Sequence, residues 1–356
     1  MSETPLKNFI KNNMKELVSI IIVNWNGLRW LPDCFGSLAK QDWKEYEIIF
    51  VDNASKDDSV AWVRKNYPKT KILINKENLG FSDANNVGYK IAKGKYILFL
   101  NNDTRVTKTF LTELVKVLKS DPTIGGAQSK ILLMDHPDTH DSVGAFFTPT
   151  GFLLHYGFGA KDSPRYDKQI DLYTAKGACM MFKKEVLRKV EMDGNILDPS
   201  YFAYFEETDM CHRVWLAGYR VVYAYKSVIY HKMGATSSSM NNAFVQYHSF
   251  KNRINSYIKN LSGPWLLKTL PIHLLLCEGF SVISLLKGKC KLSWSIQKAL
   301  WWNIGRLSIT LRNRRYIQTN IRTISDDTMW TKMLKRPKLL YYWNLSKGET
   351  SYEEEI

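Results

Sequence analysis

Short apolar runs alternate with amphipathic stretches along the first 125 residues of the chain. Runs rich in β-branched and other large apolar residues predict buried strands at 18–23, 47–51, 71–74 and 96–100. The stretches around them predict helices at 30–40, 55–66, 82–93 and 108–120. Because such apolar strands need cover on both faces, the pattern predicts an α/β fold with a mostly parallel sheet between two helical layers.

The regular alternation stops near residue 125. Residues 135–171 are rich in Gly, Pro, His and Asp, which predicts loops with short strands. A predicted helix at 205–217 is followed by predicted strands at 221–224 and 228–230, and beyond residue 234 the chain reads as helical, basic and aromatic. We therefore expect a domain at 17–240 with halves at 17–125 and 126–240, a helical C-terminal extension at 241–348, and frayed termini at 1–16 and 349–356.

Positive charge is concentrated in the C-terminal third. The chain has 50 Lys and Arg against 34 Asp and Glu, and residues 232–356 alone hold 19 basic and 7 acidic residues. Such a surface suits the phosphates of lipid headgroups or nucleic acid, but no nucleic-acid-binding motif accompanies it, so no nucleic-acid partner is expected. The apolar segment 265–286 is interrupted by Lys268, Pro271, His273 and Glu278, which favours an interfacial helix over a membrane-spanning one.

The cysteines and the N-terminus bear on the cellular compartment. Five cysteines, an odd number without a Cys-x-x-Cys pair, indicate reduced thiols rather than a disulfide framework or a zinc site. The N-terminal segment is polar and lacks the apolar core of a signal peptide. Both features predict a cytoplasmic protein.

Polar residues follow three of the predicted strands at the point where each strand ends. They are Asn24 after the first strand, Asp52 and Asn53 after the second, and Asn101, Asn102 and Asp103 after the fourth. Because the carboxyl ends of parallel strands meet at one edge of a sheet, we expect these side chains to line one binding site. Amides and carboxylates can bind a nucleotide there, and Asp103 can hold Mg²⁺ or Mn²⁺, which prefer oxygen ligands. For any one of these residues alone, capping of the next helix is the simpler explanation.

Two further segments carry candidate chemistry. Three acids, Glu206, Glu207 and Asp209, crowd the start of the helix at 205–217. Either they are favourable charges at a helix N-terminus, with an Asp209–Arg213 pair, or a carboxylate among aromatic neighbours gains the proton affinity of a general base. His231 follows a strand and is either a structural residue or a ligand of metal or phosphate. The sequence has no G-x-G-x-x-G or P-loop motif, which disfavours a dinucleotide enzyme or a kinase.

Seven segments, in this order, resemble family 2 glycosyltransferases with the GT-A fold, and among them bacterial rhamnosyltransferases that build cell-surface polysaccharide. The resemblance covers roughly residues 17–231 and continues more loosely beyond, and its segments are VSIIIVNWNG, IIFVDNASKDDS, NLGFSDANNVG, YILFLNNDT, KGACMMFKKEV, FEETDMCHRVWLAGY and IYHKMGATS. It implies a metal-assisted, inverting transfer of a sugar, with rhamnose as one candidate, from a nucleoside-diphosphate sugar to an acceptor hydroxyl by a single displacement.

The resemblance also assigns roles to residues. Asp103 and His231 would hold the metal, although Asn101 stands where the family's Asp-x-Asp motif begins, which leaves one firm carboxylate ligand. Glu207 stands at the position of the catalytic base, with Glu206 as the alternative and Asp209 as a supporting residue. The donor site would be formed by Asn24, Asp52, Asn53, Asn78, Gly80, Asn85, Asn101, Asn102, Gly177 and Ala178.

The resemblance further implies partners and a location. The donor would be a dTDP- or UDP-sugar, and the acceptor a glycan at the cell surface or on a polyprenyl diphosphate. The basic extension would bind the anionic inner face of the plasma membrane; alternatively, its helices would pack on the catalytic domain or form a homodimer. Two other functions stay open: a sugar nucleotidyltransferase, disfavoured by the missing Gly-rich phosphate loop, and a non-catalytic glycan- or membrane-binding relative, disfavoured by Asp103, Glu207 and His231.

Overall fold

The computed structural model describes residues 16–232, 234, 242–338 and 341, so that only Glu16 of the two predicted termini lies within it. Its first half contains four parallel strands in the order β3-β2-β1-β4. The strands are β1 (Val18–Asn24), β2 (Tyr46–Asp52), β3 (Lys71–Ile74) and β4 (Tyr96–Leu100). All four predicted strands are confirmed, and β1 and β2 differ from the prediction by single residues at their ends.

Helices cover both faces of this sheet, as predicted. They are α1 (Leu31–Leu38), α2 (Ser59–Asn66), α3 (Gly80–Ile91) and α4 (Phe110–Ser120). Because successive side chains of a strand point to opposite faces, Ile97 and Phe99 of β4 join the apolar cluster that includes α3, while Leu98 and Leu100 join the cluster that includes α1 and α4. The strand is therefore fully buried up to the polar residues that follow it.

The second half extends the sheet with strands that the sequence analysis partly missed. β6 (Ile124–Leu133), β11 (Cys179–Lys183) and β12 (Arg220–His231) follow β4 in the order β4-β11-β6-β12, with β11 antiparallel to both neighbours and β6 parallel to β12. The strands predicted at 221–224 and 228–230 are parts of the single strand β12, whose register shifts between Ala224 and Val228.

Several short elements complete this half, in agreement with the loops and short strands predicted at 135–171. β5 (Thr104–Val106) pairs with the end of β12, so that Thr104 lies opposite His231 and brings Asp103 beside it, while β7 (His140–Ser142) pairs with β6. The remaining elements are β8 (Gly144–Phe147), β9 (Leu153–Tyr156), β10 (Asp171–Leu172), α5 (Lys184–Val190) and α6 (Glu206–Leu216).

The helical C-terminal extension is present, and it shares the core of the second half. Trp330 stacks on Phe147 with ring centroids 4.3 Å apart, and Tyr257 lies edge-on to the same Phe147 ring. The last third therefore packs on the sheet domain over a large apolar contact. Its helices are α7 (Asn242–Asn260), α8 (Gly263–Leu286), α9 (Cys290–Gly305), α10 (Leu307–Tyr316) and α11 (Asp326–Met333).

Helix α8 contains the apolar segment with the four polar interruptions. Within the described residues it is the one helix that is long and apolar enough to cross a membrane, judged by length and composition alone. Core helices of soluble proteins can meet the same criterion, but less than a third of the most apolar part of α8 is buried.

Candidate active site

The ends of β1, β2 and β4 are joined by hydrogen bonds between polar side chains. Asn102 Nδ2 donates to Asn24 Oδ1 (2.6 Å), and Asn24 Nδ2 donates to Asp52 Oδ1 (3.3 Å) and to Ser55 Oγ (3.1 Å). The Asp52 carboxylate also accepts from the backbone N–H of Ser55 (2.9 Å). These contacts satisfy the buried polar groups and fix the relative positions of three strand ends.

A cleft of about 310 Å³ opens at this edge of the sheet. Three predicted donor residues lie behind its wall instead of lining it: Asn24 and Asp52 are buried in the strand-end contacts, and Asn85 Nδ2 donates to the Phe81 carbonyl within α3 (2.8 Å). The predicted residues that line the cleft are Asn53, Asn78, Gly80, Asn101, Asn102, Asp103, Gly177, Ala178, Glu206, Glu207 and His231.

The side chain of Asn53 holds the loop that leads into α3. Its Nδ2 donates to Asn78 Oδ1 (2.8 Å) and to the Gly80 carbonyl (3.0 Å), and its Oδ1 accepts from the Leu79 backbone N–H (3.0 Å). Gly80 has a φ of +76°, and a Cβ there would lie 2.3 Å from the carbonyl oxygen of Phe202. Only glycine therefore fits where this loop meets the loop before α6.

Asp103 and His231 face each other in the cleft, and the histidine is anchored from behind. His231 Nε2 lies 3.3 Å from Asp103 Oδ1, and Nδ1 is 2.7 Å from Asp141 Oδ2. Burial acts to lower the pKa of His231, but Asp103 and Asp141 raise it to about 9. Burial acts to raise the pKa of the Asp141 carboxyl, but Lys176 and His231 lower it to about 2.

Asp141 was missed by the sequence analysis. It lies on the three-residue strand β7, 90 positions before His231, and no local spacing links the two. An Nδ1–H bond from histidine to a carboxylate fixes the tautomer that leaves Nε2 free to bind a metal. Asp141 thus occupies the place of the carboxylate that commonly orients a metal-binding histidine.

The residues at this corner fit a divalent cation. Asp103 Oδ1 is buried, and its contact with His231 Nε2 at 3.3 Å does not have the geometry of a hydrogen bond, so a cation bound by both side chains would replace this contact. No group of three or more His, Cys, Asp and Glu in the described part of the chain could hold a metal, so Asp103 and His231 would supply two ligands. Mg²⁺ commonly takes one or two protein ligands and completes its shell with substrate phosphates and water.

Glu206 and Glu207 are presented by a loop with an unusual backbone. The φ angles of Phe202, Tyr204 and Phe205 are +60°, +69° and +74°, a region that costs non-glycine residues about 1–3 kcal/mol each. Asn252 of α7, which the sequence analysis did not single out, stabilises this conformation. Its Nδ2 contacts the carbonyl oxygens of Tyr201 (3.0 Å), Ala203 (2.9 Å) and Tyr204 (2.6 Å).

The carboxyl groups of Glu206 and Glu207 both have pKa values above the ordinary value of a glutamate. The Oε2 atoms of both are buried without a hydrogen-bond partner among the described residues. Burial and the neighbouring Glu207 raise the pKa of Glu206 well above its ordinary value. Burial raises the pKa of Glu207 to about 7, although backbone N–H groups at the start of α6 and the charge of Lys176 act against it. Glu207 thus has the proton affinity of a general base near neutral pH.

Glu207 also lines a second cavity, of about 280 Å³. This cavity is enclosed by the short strands of the second half and includes Asp141, His155 and Lys176 in its wall. Glu207 and Lys176 belong to the walls of both spaces, so they stand where the two meet.

Asp209, predicted as a supporting residue, lies outside the cleft. Its Oδ1 lies 3.3 Å from Lys259 Nζ and its Oδ2 lies 3.2 Å from a terminal guanidinium nitrogen of Arg213, and all three side chains are fully buried. The Asp209–Arg213 pair, which the sequence analysis gave as part of the structural explanation for the acids in this segment, is present within α6. Asp209 therefore fixes α6 to α7 and does not face a substrate.

Comparisons with known proteins agree with this architecture. Residues 19–191 match the model of the family Glycosyl transferase family 2. An uncharacterized glycosyltransferase of Haemophilus influenzae is 28% identical over 132 residues, 37% of this chain and 42% of that protein. The chain spans less than half the length of the curated relatives it matches.

Two solved structures share the fold at low sequence identity. GalNAc-T7, crystallised with UDP, GalNAc and Mn²⁺, is 16% identical with a TM-score of 0.56, over 71% of this chain and 49% of that one. S. aureus TarS 1–349 in complex with UDP-GlcNAc is 18% identical with a TM-score of 0.55, over 88% of this chain and 92% of that one.

The sheet order and the cleft at its strand ends are those of the GT-A fold. The match to glycosyl transferase family 2 covers residues 19–191, just under half of the chain. That segment ends before α6, so the acid pair and His231 lie outside it.

Proposed function

We propose that the protein transfers a sugar from a nucleoside-diphosphate sugar to an acceptor hydroxyl with inversion, and that Glu207 is the catalytic base. One observation carries this proposal. The Glu207 carboxyl lines the cleft that contains Asp103 and His231 and also lines the second cavity. A base in this position can reach an acceptor on one side and a donor sugar on the other.

The first cleft provides the donor site. Asn53, Asn78 and the loop at Gly80 offer amide and backbone groups to the nucleotide, and Gly177 and Ala178 lie beside the sugar. The donor is a UDP- or dTDP-sugar, in line with the UDP and UDP-GlcNAc of the related structures. A divalent cation held by Asp103 and His231, Mg²⁺ or Mn²⁺, would offset the negative charge that develops on the departing diphosphate.

The second cavity provides the acceptor site. As the acceptor oxygen forms its bond to the anomeric carbon, Glu207 takes the hydroxyl proton and the bond from that carbon to the diphosphate breaks. Attack from the face opposite the leaving group inverts the anomeric configuration, through an oxocarbenium-like transition state as in glycoside hydrolysis. Lys176 lies beside Asp141 at this junction and adds a positive charge next to the reacting groups.

The finer assignments follow from the resemblance described above. The transferred sugar is rhamnose or a related hexose, and the acceptor is a cell-surface or polyprenyl-diphosphate-linked glycan. The enzyme works in the cytoplasm at the inner face of the plasma membrane. No arrangement among the described residues favours nucleotidyl transfer over this reaction.

The first experiment identifies the donor and tests the base. A panel of UDP- and dTDP-sugars is screened for thermal stabilisation with and without Mn²⁺. With the donor that stabilises the protein, Glu207→Gln should lower turnover by about 10²–10⁴-fold, the usual contribution of general base catalysis, while donor affinity changes little. Nuclear magnetic resonance of the product should show the inverted anomer.

Glu206→Gln serves as the matched control. It should reduce turnover less than Glu207→Gln, since we assign the proton transfer to Glu207. If Glu207→Gln retains wild-type turnover and Glu206→Gln loses it, the base is Glu206. Release of a sugar 1-phosphate in place of a nucleoside diphosphate would instead identify a nucleotidyltransferase.

A further inference from the structure

Helix α8 has its apolar side chains on the outside. Its buried residues recur every three or four positions and form one narrow stripe of small and polar side chains: Thr269, His273, Cys277, Ser281 and Ser284. The residues that face away from the protein are large and apolar, with Leu267 77%, Leu275 72% and Leu286 82% exposed. A surface helix of a soluble domain normally shows the reverse arrangement.

The polar stripe attaches α8 to the rest of the protein. Ser281 Oγ lies 2.9 Å from Ser293 Oγ of α9, and Gln297 Nε2 of α9 donates to Glu278 Oε2 (2.7 Å) and to Ser281 Oγ (3.1 Å). At the other end of the stripe, His273 Nδ1 lies 3.0 Å from the Thr150 carbonyl oxygen. Small residues and hydrogen bonds at helix contacts, with large apolar residues outside, are typical of helices that face lipid.

The apolar surface continues across the next two helices. On α9, Trp294 and Trp301 are 60% and 64% exposed, and Ile304 and Leu307 are exposed where α9 meets α10. An apolar groove of about 330 Å³ between α7, α8, α9 and α10 connects the helices, and its wall includes Leu270, Leu274, Leu300, Trp301, Ile304 and Leu307. We call the exposed apolar residues between 267 and 316 the apolar face.

The charges around the apolar face are almost all positive. Residues 263–316 contain nine Lys and Arg and one acidic residue, Glu278. Lys287, Lys289 and Lys291 follow the end of α8 and are exposed, as are Arg306, Arg312 and Arg315. Exposed tryptophans and basic residues beside large apolar residues match the headgroup region of an anionic bilayer, which attracts Lys and Arg side chains.

We propose that the apolar face inserts into one leaflet of an anionic lipid bilayer, with α8 lying in the plane of the membrane. The buried stripe runs from Thr269 to Ser284, so the protein packs along nearly the whole length of α8. A helix covered in this way cannot be surrounded by lipid, which favours in-plane insertion over crossing. This inference does not depend on the proposed sugar transfer, because it concerns helices outside both cavities.

Vesicle flotation of the full-length chain tests the proposal. The protein is mixed with neutral phosphatidylcholine vesicles or with vesicles that also contain phosphatidylglycerol, and we expect it to float with the anionic vesicles. Leu275→Glu combined with Leu286→Glu removes two exposed apolar groups and should weaken partitioning by about 100-fold or more. Changing Lys287, Lys289 and Lys291 to Gln removes three charges and should weaken it by about 100-fold on anionic vesicles only.

Two controls keep the result interpretable. Ile74→Glu changes an exposed apolar residue on β3, outside the apolar face, and should float like the wild type. The melting temperatures of all variants show whether they fold. The proposal is wrong if the wild type floats with neither vesicle, or if the leucine variant floats as the wild type does. A wild-type dimer that fails to float and that Leu275→Glu dissociates would show that the apolar face is instead an interface between two copies.

Discussion

The Asp209→Asn substitution would remove one negative charge from a site that holds two fully buried cations. Asp209 lies 3.3 Å from Lys259 Nζ and 3.2 Å from the Arg213 guanidinium. Removal of one partner from a buried ion pair costs about 3–5 kcal/mol. Lys259 keeps a second carboxylate, Asp198 at 2.6 Å, so we expect the lower end of that range, about 3 kcal/mol. For a chain of this length the melting temperature should fall by about 4 °C.

Thermal melts and turnover together decide the role of Asp209. Turnover of Asp209→Asn, measured well below its melting temperature, should stay within a few-fold of the wild type because the side chain does not line the cleft. Asp138→Asn is the control, since Asp138 pairs with Lys161 on the surface, and it should leave the melting temperature nearly unchanged. If Asp209→Asn melts like the wild type and loses turnover more than tenfold, Asp209 acts on the substrate and our assignment is refuted.

The pH dependence of the melting temperatures of the wild type and Asp209→Asn gives a further test. Burial acts to raise the pKa of Asp209, but Lys259 and Arg213 hold it well below its ordinary range. A lowered pKa in the folded state stabilises the protein above the unfolded pKa of about 3.9, and this stabilisation is lost as the pH falls below that value. The difference in melting temperature between wild type and Asp209→Asn should therefore be constant between pH 6 and pH 8. It should become smaller as the pH falls toward about 3, because the wild type loses this stabilisation below the unfolded pKa of the carboxyl group.

Three more substitutions or conditions test other parts of the site. Because burial raises the pKa of Glu207 to about 7 and a base must be deprotonated, turnover at saturating donor and metal should fall about tenfold per pH unit below that value, and a flat profile from pH 5.5 to 8 would contradict the assignment. Asp141→Asn should weaken Mn²⁺ binding about 10–100-fold, as measured by electron paramagnetic resonance with a nucleoside diphosphate present, and unchanged binding would show that Asp141 does not orient His231. Asn252→Ala should cost about 1–3 kcal/mol in stability and lower kcat more than it changes donor affinity, whereas an effect on stability alone would limit Asn252 to a structural role.

The strands of the first half could be predicted because each is a short apolar run with polar residues at its end. β4 is the clearest case: its bounds, Tyr96–Leu100, agree with the prediction at both ends. β6 was missed because Gln128 and Lys130 break its apolar pattern, yet both are buried. Lys130 is balanced by Asp162 and Asp167, at 2.8 and 2.7 Å, on a loop more than 30 residues away. Local patterns contain no information on such distant partners.

The same limit applies to the site. The approach of Asp103 to His231 was an expectation from the resemblance, and the pairing of β5 with β12 supplies its physical reason. Asp141 and Asn252 act through contacts with residues 90 and about 50 positions away, and neither belongs to a segment that the resemblance marks. Asp209 is the opposite case. It lies within FEETDMCHRVWLAGY, a segment that carries the resemblance, but its side chain contacts Lys259 of α7.

The contact of Asn252 with the loop before α6 joins two segments that both lie beyond the family match. The family match ends at residue 191, whereas this loop and Asn252 both follow that boundary. A chimera could keep the sheet of this protein and take the last third of the chain from a relative. It would replace Asn252, whose side chain contacts three backbone carbonyl oxygens of the loop before Glu206 and Glu207. Such exchanges would have to transfer residues 201–207 and α7 as one unit, and the two segments should covary among relatives that conserve the reaction.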